Sequence, residues 1–260
     1  MRILLTNDDG VSFYGIHALV NAFYLEHEVI VVAPAEERSG FSHSVTIFSP
    51  FSYSGAGSKI PVKNIEAYAV NGTPADCVKL AILHLLKDRL PDLIISGINS
   101  GPNLGQDIMY SGTVGAASEG VLLGIPSIAI SLGDWTKQEN AYVNAANFLK
   151  KNIDTLFKLA QEGRGKIVLN VNCPKQNYKG VKFAKSSSSI YSDYYDFCSQ
   201  DNGNITMKLK GDIIDKSGNN HVCDLSFVKR GYVSITPLNI DRTNHELIEK
   251  YNKEIVLNID

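Results

Sequence analysis

The sequence predicts an α/β protein, a doubly wound and mostly parallel sheet with a β-rich extension at its C-terminal end. Two observations carry this. Up to about residue 172, short continuous apolar runs alternate with helical patterns, as expected of parallel strands buried on both faces and the helices that cover them. Beyond Pro174 the pattern changes to short alternating strands and polar, aromatic stretches. The expected division is therefore a core over 1–175 and an extension over 176–260, made of strands plus a terminal helix and not an independent domain.

Ile3-Leu-Leu5 is the first buried strand, and it runs into Thr6-Asn-Asp-Asp-Gly10. Ile16, Leu19, Val20 and Phe23 fall at i, i+3, i+4 and i+7, the spacing of an amphipathic helix. Glu28-Val-Ile-Val-Val-Ala-Pro34 is the second strand, so the first unit is βαβ and its strands are parallel. His17 stands one position from the helix's apolar stripe and reads as structural. Residues 45–70 suggest an irregular β excursion, with strands at Val45-Thr-Ile and Ile65–Val70 and a mobile turn at Ser54–Ser58. Thr73, Pro74 and Asp76 form a helix start with a cap, a first-turn proline and an acidic box residue, and this helix runs to about Lys87. Strands at Leu93–Ser96, Ile125–Leu132 and Lys166–Asn172 follow, with a long helical stretch from about Glu139 to Gln161, broken near Asn152. In the extension, Val181–Ala184 and Gly231–Thr236 read as strands. Ser186–Tyr195, with four consecutive serines, reads as a loop whose tyrosines pack on another subunit. A short helix begins after Asp241, and Ile255-Val-Leu follows it.

Composition removes several classes of function. With 25 Lys and Arg against 27 Asp and Glu, the net charge of −2 leaves no electrostatic footprint for nucleic acid or a membrane surface. No apolar run reaches the ~18 residues of a spanning helix, and Met1-Arg2 enters the first strand with no signal-peptide pattern, so a cytoplasmic protein is expected. The four cysteines are far apart, without zinc or C-x-x-C spacing, and read as reduced structural thiols.

The chemistry gathers at the carboxyl ends of the strands, where open α/β sheets bind ligands. Asp8 and Asp9 end the first strand side by side. Two adjacent carboxylates at the end of a buried strand repel, and each requires a partner; a hard divalent cation meets both needs. The plain alternative is an Asp-Asp-Gly turn, since both residue types favour turns. The polar loop Ala35–Ser44 leaves from the same edge and brings Ser39 to it; a merely flexible Ser/Gly loop is the competing reading. Asn99 follows the strand at 93–96. Ser96–Gly120 holds six glycines, and Ser111-Gly-Thr113 stands at a helix start, where free N–H groups and the dipole favour phosphate. The spacing is neither a Walker A loop nor G-x-G-x-x-G, so neither an NTPase nor a dinucleotide enzyme is supported.

These residues also carry a resemblance. Ile3-Leu-Leu-Thr-Asn-Asp-Asp-Gly10, the Ala33-Pro34 to Ser39-Gly40 loop and Asn71-Gly-Thr-Pro-Ala-Asp76 resemble motifs of the survival protein E (SurE) family of nucleotidases. So do Ser96-Gly-Ile-Asn99, Asn103-Leu-Gly, Tyr110-Ser-Gly-Thr113, and Ser234-Ile-Thr-Pro-Leu with Thr243 and His245. The match runs in order over most of the chain. It departs at Pro102, where the family often has Ala, and no motif aligns over about 176–228.

The resemblance implies a Rossmann-like core and a C-terminal oligomerisation part. It implies a metal-dependent phosphomonoesterase acting on nucleoside monophosphates, a 5'-nucleotidase, with 3'-nucleotides and short polyphosphate left open as further substrates. One magnesium or manganese ion is the implied cofactor, with Asp8, Asp9, Ser39 and Asn99 as ligands and Asp8, Asp9 and Asn99 as the catalytic set. Asn103, Ser111, Gly112 and Thr113 are the implied phosphate contacts. The implied partners are the nucleotide substrate and further copies of the chain, as homodimer or homotetramer. The donor chemistry agrees, because carboxylates, a hydroxyl and an amide are all oxygen donors, which suit magnesium, manganese or calcium.

Two other readings stay open on the residues. One is a phosphatase working through an aspartyl-phosphate, although that chemistry uses a second Asp two positions on. The other is a non-catalytic module that senses a nucleotide's phosphate with the same loops.

Overall fold

The computed structural model describes residues 1–136, 138–163, 166–175, 177–216 and 222–254. In chain order these form strands β1 (Arg2–Thr6), β2 (Glu28–Pro34), β3 (Tyr53–Gly55), β4 (Glu66–Val70), β5 (Leu93–Asn99), β6 (Ser127–Leu132) and β7 (Ile167–Cys173). Beyond these come β8 (Val181–Phe183), β9 (Ser189–Tyr191), β10 (Tyr194–Asp201), β11 (Asn204–Lys210), β12 (Ile213–Asp215) and β13 (Val233–Asn239). The α-helices are α1 (Tyr14–Phe23), α2 (Pro74–Leu80), α3 (Gly112–Leu122), α4 (Glu139–Glu162), α5 (Asp224–Lys229) and α6 (His245–Glu254).

Nine strands make one sheet in the order β3-β4-β2-β1-β5-β6-β7-β13-β8. From β4 through β7 all neighbours are parallel; β3 runs antiparallel to β4, and β13 antiparallel to β7. The sheet is doubly wound. Ile3 and Leu5 point to the face covered by α1 and α4, with Ile16, Leu19, Phe23, Tyr142 and Leu149. Leu4 points to the other face, with Cys77, Val78 and Ala81 from α2 and its extension and Ala116 from α3. Strands covered on both sides need apolar residues at every position, which is why the runs are continuous rather than alternating.

The winding reverses at β1. The chain goes outward from β1 through β2 to β4, then returns to place β5 on β1's other side. Loops leaving β1 and β5 diverge there and open a crevice, the usual ligand position in such sheets. Asp8 and Asp9 follow β1, and Asn99 ends β5.

Several segments differ from expectation. Val45-Thr-Ile is not a strand, because Asp76 captures it: the Thr46 backbone N–H donates to Asp76 Oδ1 (2.8 Å) and its hydroxyl to Oδ2 (2.7 Å). Ser54 and Gly55 belong to β3, paired with Ala69 and Tyr68 of β4, instead of a mobile turn. Helix α4 passes unbroken through Asn152, whose side-chain amide donates to the Phe148 carbonyl one turn back (2.8 Å).

The serine run is irregular up to Ser188 but is tied into the core. Ser187 and Ser189 are buried, with Ser189 opening β9, and buried Asp224 accepts from the Ser187 N–H (2.8 Å) and the Gly105 N–H (2.9 Å). The chain beyond residue 175 contributes in two ways: β8 and β13 complete the main sheet, whereas β9–β12 form two separate two-stranded ribbons. Ile255-Val-Leu lies outside the described residues. Among the described residues no helix is long and apolar enough to cross a membrane.

Candidate active site

The turn after β1 is held by its own asparagine. Asn7 donates through Nδ2 to the Gly10 carbonyl (3.0 Å) and accepts through Oδ1 from the Gly10 N–H (3.1 Å), which fixes the two intervening aspartates. Asp8 turns toward helix α3. Its Oδ1 accepts from the Thr113 hydroxyl (2.5 Å) and its Oδ2 from the Thr113 backbone N–H (3.2 Å). The residue is 3% exposed. Burial pushes its carboxyl above the usual range, and the bonds from Thr113 pull it back. Gly112 permits this approach: a Cβ there would fall 2.9 Å from Asp8 Cβ and 3.0 Å from its Oδ2.

Asp9 is in the opposite condition. Its Oδ2 is buried and makes no hydrogen bond. Burial first, then the charge of Asp8, push its carboxyl up to about 8, with Glu37 adding to the rise and Ser100 opposing it. Asp9 lines a cavity of about 680 Å³ with Phe13, Tyr14, Glu37, Ser100, Trp135 and Thr136.

The remaining expected ligands come from neighbouring loops. The loop after β2 is tied to the first aspartate by the Arg38 N–H, which donates to the Asp8 carbonyl (2.7 Å). Beside it Ser39 is exposed, and its hydroxyl donates to Glu37 Oε1 (2.8 Å). Asn99 is buried, and its Nδ2 donates to the Gly101 carbonyl (2.8 Å), which fixes the amide plane. The β5–β6 register shifts between Ser96 and Asn99, an irregularity of the kind that re-aims a side chain at a strand end.

The four expected phosphate contacts separate in kind. Gly112 and Thr113 lie against Asp8. Ser111 caps α3, its Oγ accepting from the Val114 N–H (3.1 Å). Asn103 is tied into the ends of β6 and β7: its Nδ2 donates to Ser131 Oγ (2.7 Å), its N–H to Asn172 Oδ1 (2.9 Å), and its carbonyl accepts from Asn170 (2.9 Å) and Asn172 (3.1 Å). Its immediate partners are thus strand residues rather than members of the Asp8–Asp9 cluster.

Reasoning from sequence missed Glu37, Ser100 and Trp135 around Asp9. The hint for Ser100 is its place directly after Asn99; nothing local marks Trp135, which arrives from the end of β6. Also missed was the support behind α3, where buried Glu119 accepts from His43 Nε2 (2.8 Å) and Lys79 Nζ (2.7 Å).

The donor set suits a hard divalent cation. Asp8, Asp9, Ser39 and Asn99 offer only oxygen and amide groups, and the buried Asp9 Oδ2 has no hydrogen-bond partner among the described residues. Among the described residues there is no cluster of three or more His, Cys, Asp or Glu.

Residues 3–193 match the family model described as Survival protein SurE. The chain belongs to the SurE family. It is 40% identical over 257 residues to the 5'-nucleotidase SurE of Syntrophomonas wolfei subsp. wolfei, covering 97% of this chain and 94% of that protein. It is 39% identical over 256 residues to the 5'-nucleotidase SurE of Clostridium botulinum (strain ATCC 19397 / Type A), covering 96% and 97%. The crystal structure of the SurE protein from Aquifex aeolicus superposes with a TM-score of 0.78 at 36% identity, covering 98% of this chain and all of that one. The SurE assignment and the observed sheet agree with the Rossmann-like, mostly parallel architecture read from the sequence.

Proposed function

We propose that this chain is a 5'-nucleotidase, a divalent-metal-dependent phosphomonoesterase that hydrolyses nucleoside monophosphates to nucleoside and phosphate. The observation that carries the reading is the pair of adjacent carboxylates at the switch point, Asp8 held by two bonds from Thr113 and Asp9 with a buried, unpaired oxygen on a residue that lines a cavity. The names of the relatives support it.

Asp8, Asp9, Asn99 and Ser39 would hold one magnesium or manganese ion, which supplies charge neutralisation at the phosphoryl group and activation of water. The protein's own part is positioning. Thr113 holds Asp8 in one orientation, Asn7 fixes the turn, and Asn99 is locked by Gly101. The first turn of α3 gives the phosphoryl oxygens a region of positive potential beside the carboxylates. Attack of water on phosphorus breaks the P–O ester bond and releases the nucleoside alcohol.

The test is phosphate release from 5'- and 3'-nucleotides and short polyphosphate by dialysed protein, with and without Mg²⁺ or Mn²⁺. Metal-dependent release from 5'-nucleotides is expected. Full activity in excess chelator would overturn the metal requirement, and binding without release would favour the sensor reading.

The reading includes a cytoplasmic homo-oligomer, dimer or tetramer, built through the chain beyond 175. Cys77 and Cys173 are buried free thiols, as expected in a reducing compartment. In the β10–β11 ribbon Tyr194, Tyr195, Phe197, Ile205, Met207 and Leu209 are exposed, and such a ribbon is marginal alone. Light scattering of the full chain, and of a variant lacking 194–210, measures this. A monomeric full chain at micromolar concentration would be contrary.

A further inference from the structure

We propose that the cavity beside Asp9 is a nucleobase subsite, with Trp135 as the stacking platform that makes this enzyme prefer nucleotides over other phosphomonoesters. The inference rests on the phosphomonoesterase reading and specifies which part of the substrate the protein recognises.

The cavity's position comes first. Asp9 and Ser100 line it at the carboxylate end. The cavity is therefore open to the alcohol portion of an ester whose phosphorus is held at Asp8 and Asp9. A volume of about 680 Å³ is within the range of ordinary small-molecule sites, roughly 300–1,000 Å³. A second cleft, lined by Gly40, Tyr110 and Tyr191 among others, touches the Ser39 loop but includes none of Asp8, Asp9 and Asn99.

Trp135 is the second observation. It is the one tryptophan in the chain and is 70% exposed, a costly place for the largest apolar side chain. The ring is nonetheless backed by protein. It lies on the backbone at Gly101, where a Cβ would fall 2.6 Å from its ring carbons. The next residue anchors the segment: the Thr136 N–H donates to the Ser100 carbonyl (3.4 Å), and the Tyr142 hydroxyl donates to the Thr136 carbonyl (2.9 Å). The indole is thus held two residues from Asn99 with most of its surface open, and little ordering remains to be done on binding. Phe13 and Tyr14 line the same cavity, so three of its seven lining residues are aromatic beside the carboxylates of Asp9 and Glu37. A planar heterocycle stacks on such a surface irrespective of its hydrogen-bonding pattern, which fits broad acceptance of bases with purines favoured by their larger face.

Two measurements test this. The first uses Trp135 as the sole indole reporter: titration of the chelated protein with adenosine or AMP should quench its fluorescence, and ribose 5-phosphate should not. The second compares kcat/KM for AMP with that for ribose 5-phosphate in the metal-loaded enzyme. The ratio should fall about 10- to 100-fold in Trp135→Ala, chiefly through the KM for AMP, and should largely recover in Trp135→Phe. Parallel loss on both substrates in Trp135→Ala would show a structural role and overturn the inference. So would quenching by ribose 5-phosphate alone, or loss of AMP preference in Tyr110→Ala but not in Trp135→Ala. Wild-type protein that hydrolyses AMP and ribose 5-phosphate equally well overturns the subsite and leaves the phosphatase standing. Wild-type protein that releases phosphate from neither overturns the underlying reading.

Discussion

The two flanks of the Asp8–Asp9 pair are built on opposite principles. On the α3 flank polar groups are matched: Asp8 receives two bonds from Thr113, Ser111 caps the helix, and Glu119 binds His43 and Lys79 behind it. On the cavity flank they are not. Asp9 keeps an unpaired buried oxygen, and Trp135 presents its ring to solvent. A protein bears such costs where a ligand offsets them. On the proposed reading the matched flank holds a fixed geometry for the phosphoryl group, and the unmatched flank receives the metal and the rest of the substrate.

The largest expected effect comes from removing the unmatched charge. Asp9→Asn keeps size and shape but deletes the anion. Metal-assisted charge stabilisation is worth several kcal/mol, so turnover should fall on the order of 1,000-fold at saturating substrate. The chelated protein should meanwhile melt no earlier than wild type at pH 7, since burial and Asp8 push this carboxyl up to about 8 and already keep it mostly neutral. Turnover within tenfold of wild type would mean that the binding function does not lie on this flank.

Thr113 offers a smaller, sharper test, because it acts through Asp8. Thr113→Ala leaves the carboxylate in place but frees it to rotate. Loss of such an orienting partner typically costs 10- to 100-fold in metal affinity. Calorimetric titration with Mn²⁺ should show this, and Thr113→Ser, which restores the hydroxyl, should recover most of it. If the Ala variant binds metal normally and loses only turnover, Thr113 contacts the phosphoryl group instead.

The same division explains what was legible in the sequence. The sheet, its carboxyl edge and the aspartates were readable because they are local: continuous apolar runs, capping residues and adjacent carboxylates announce themselves within ten residues. The partners were not. That Thr113 donates to Asp8 is a contact across 105 positions, invisible to spacing. Ser187 and Ser189 read as part of a surface loop because nothing nearby reveals that Asp224 holds the Ser187 backbone. β13 resembled the strands of an extension, yet it pairs with β7 through six residues of the main sheet. Trp135 had no motif to mark it, since its importance lies in the cavity it shares with a residue more than a hundred positions earlier.

Gly112 sets the spacing between the flanks. Gly112→Ala would place a methyl group 2.9 Å from Asp8 Cβ and 3.1 Å from Pro74 Cγ, so α3 or the β1 turn must shift. Overpacking of this kind costs about 1–3 kcal/mol. Thermal denaturation should show the loss, together with weakened metal binding. An unchanged melting temperature would mean that the two elements separate more readily than their contacts imply.

The smallest effect, and the one that reports on the matched flank alone, concerns Glu119. Burial raises its carboxyl, but the bonds from His43 and Lys79 outweigh burial and hold it below its ordinary value of 4.5. A carboxyl lowered in the folded state adds stability that is fully present above its unfolded pKa and is lost as pH falls through the folded one. Glu119→Gln keeps an acceptor for one neighbour and removes the charge. It should therefore be less stable than wild type by about 1–2 kcal/mol at pH 7, the worth of a charge-assisted hydrogen bond over a neutral one. The gap should close as pH drops below 4.5, where wild type also becomes neutral at this position. Urea denaturation of both proteins across this range measures the difference. A gap that stays constant with pH would mean that packing, not charge, is what Glu119 contributes behind α3.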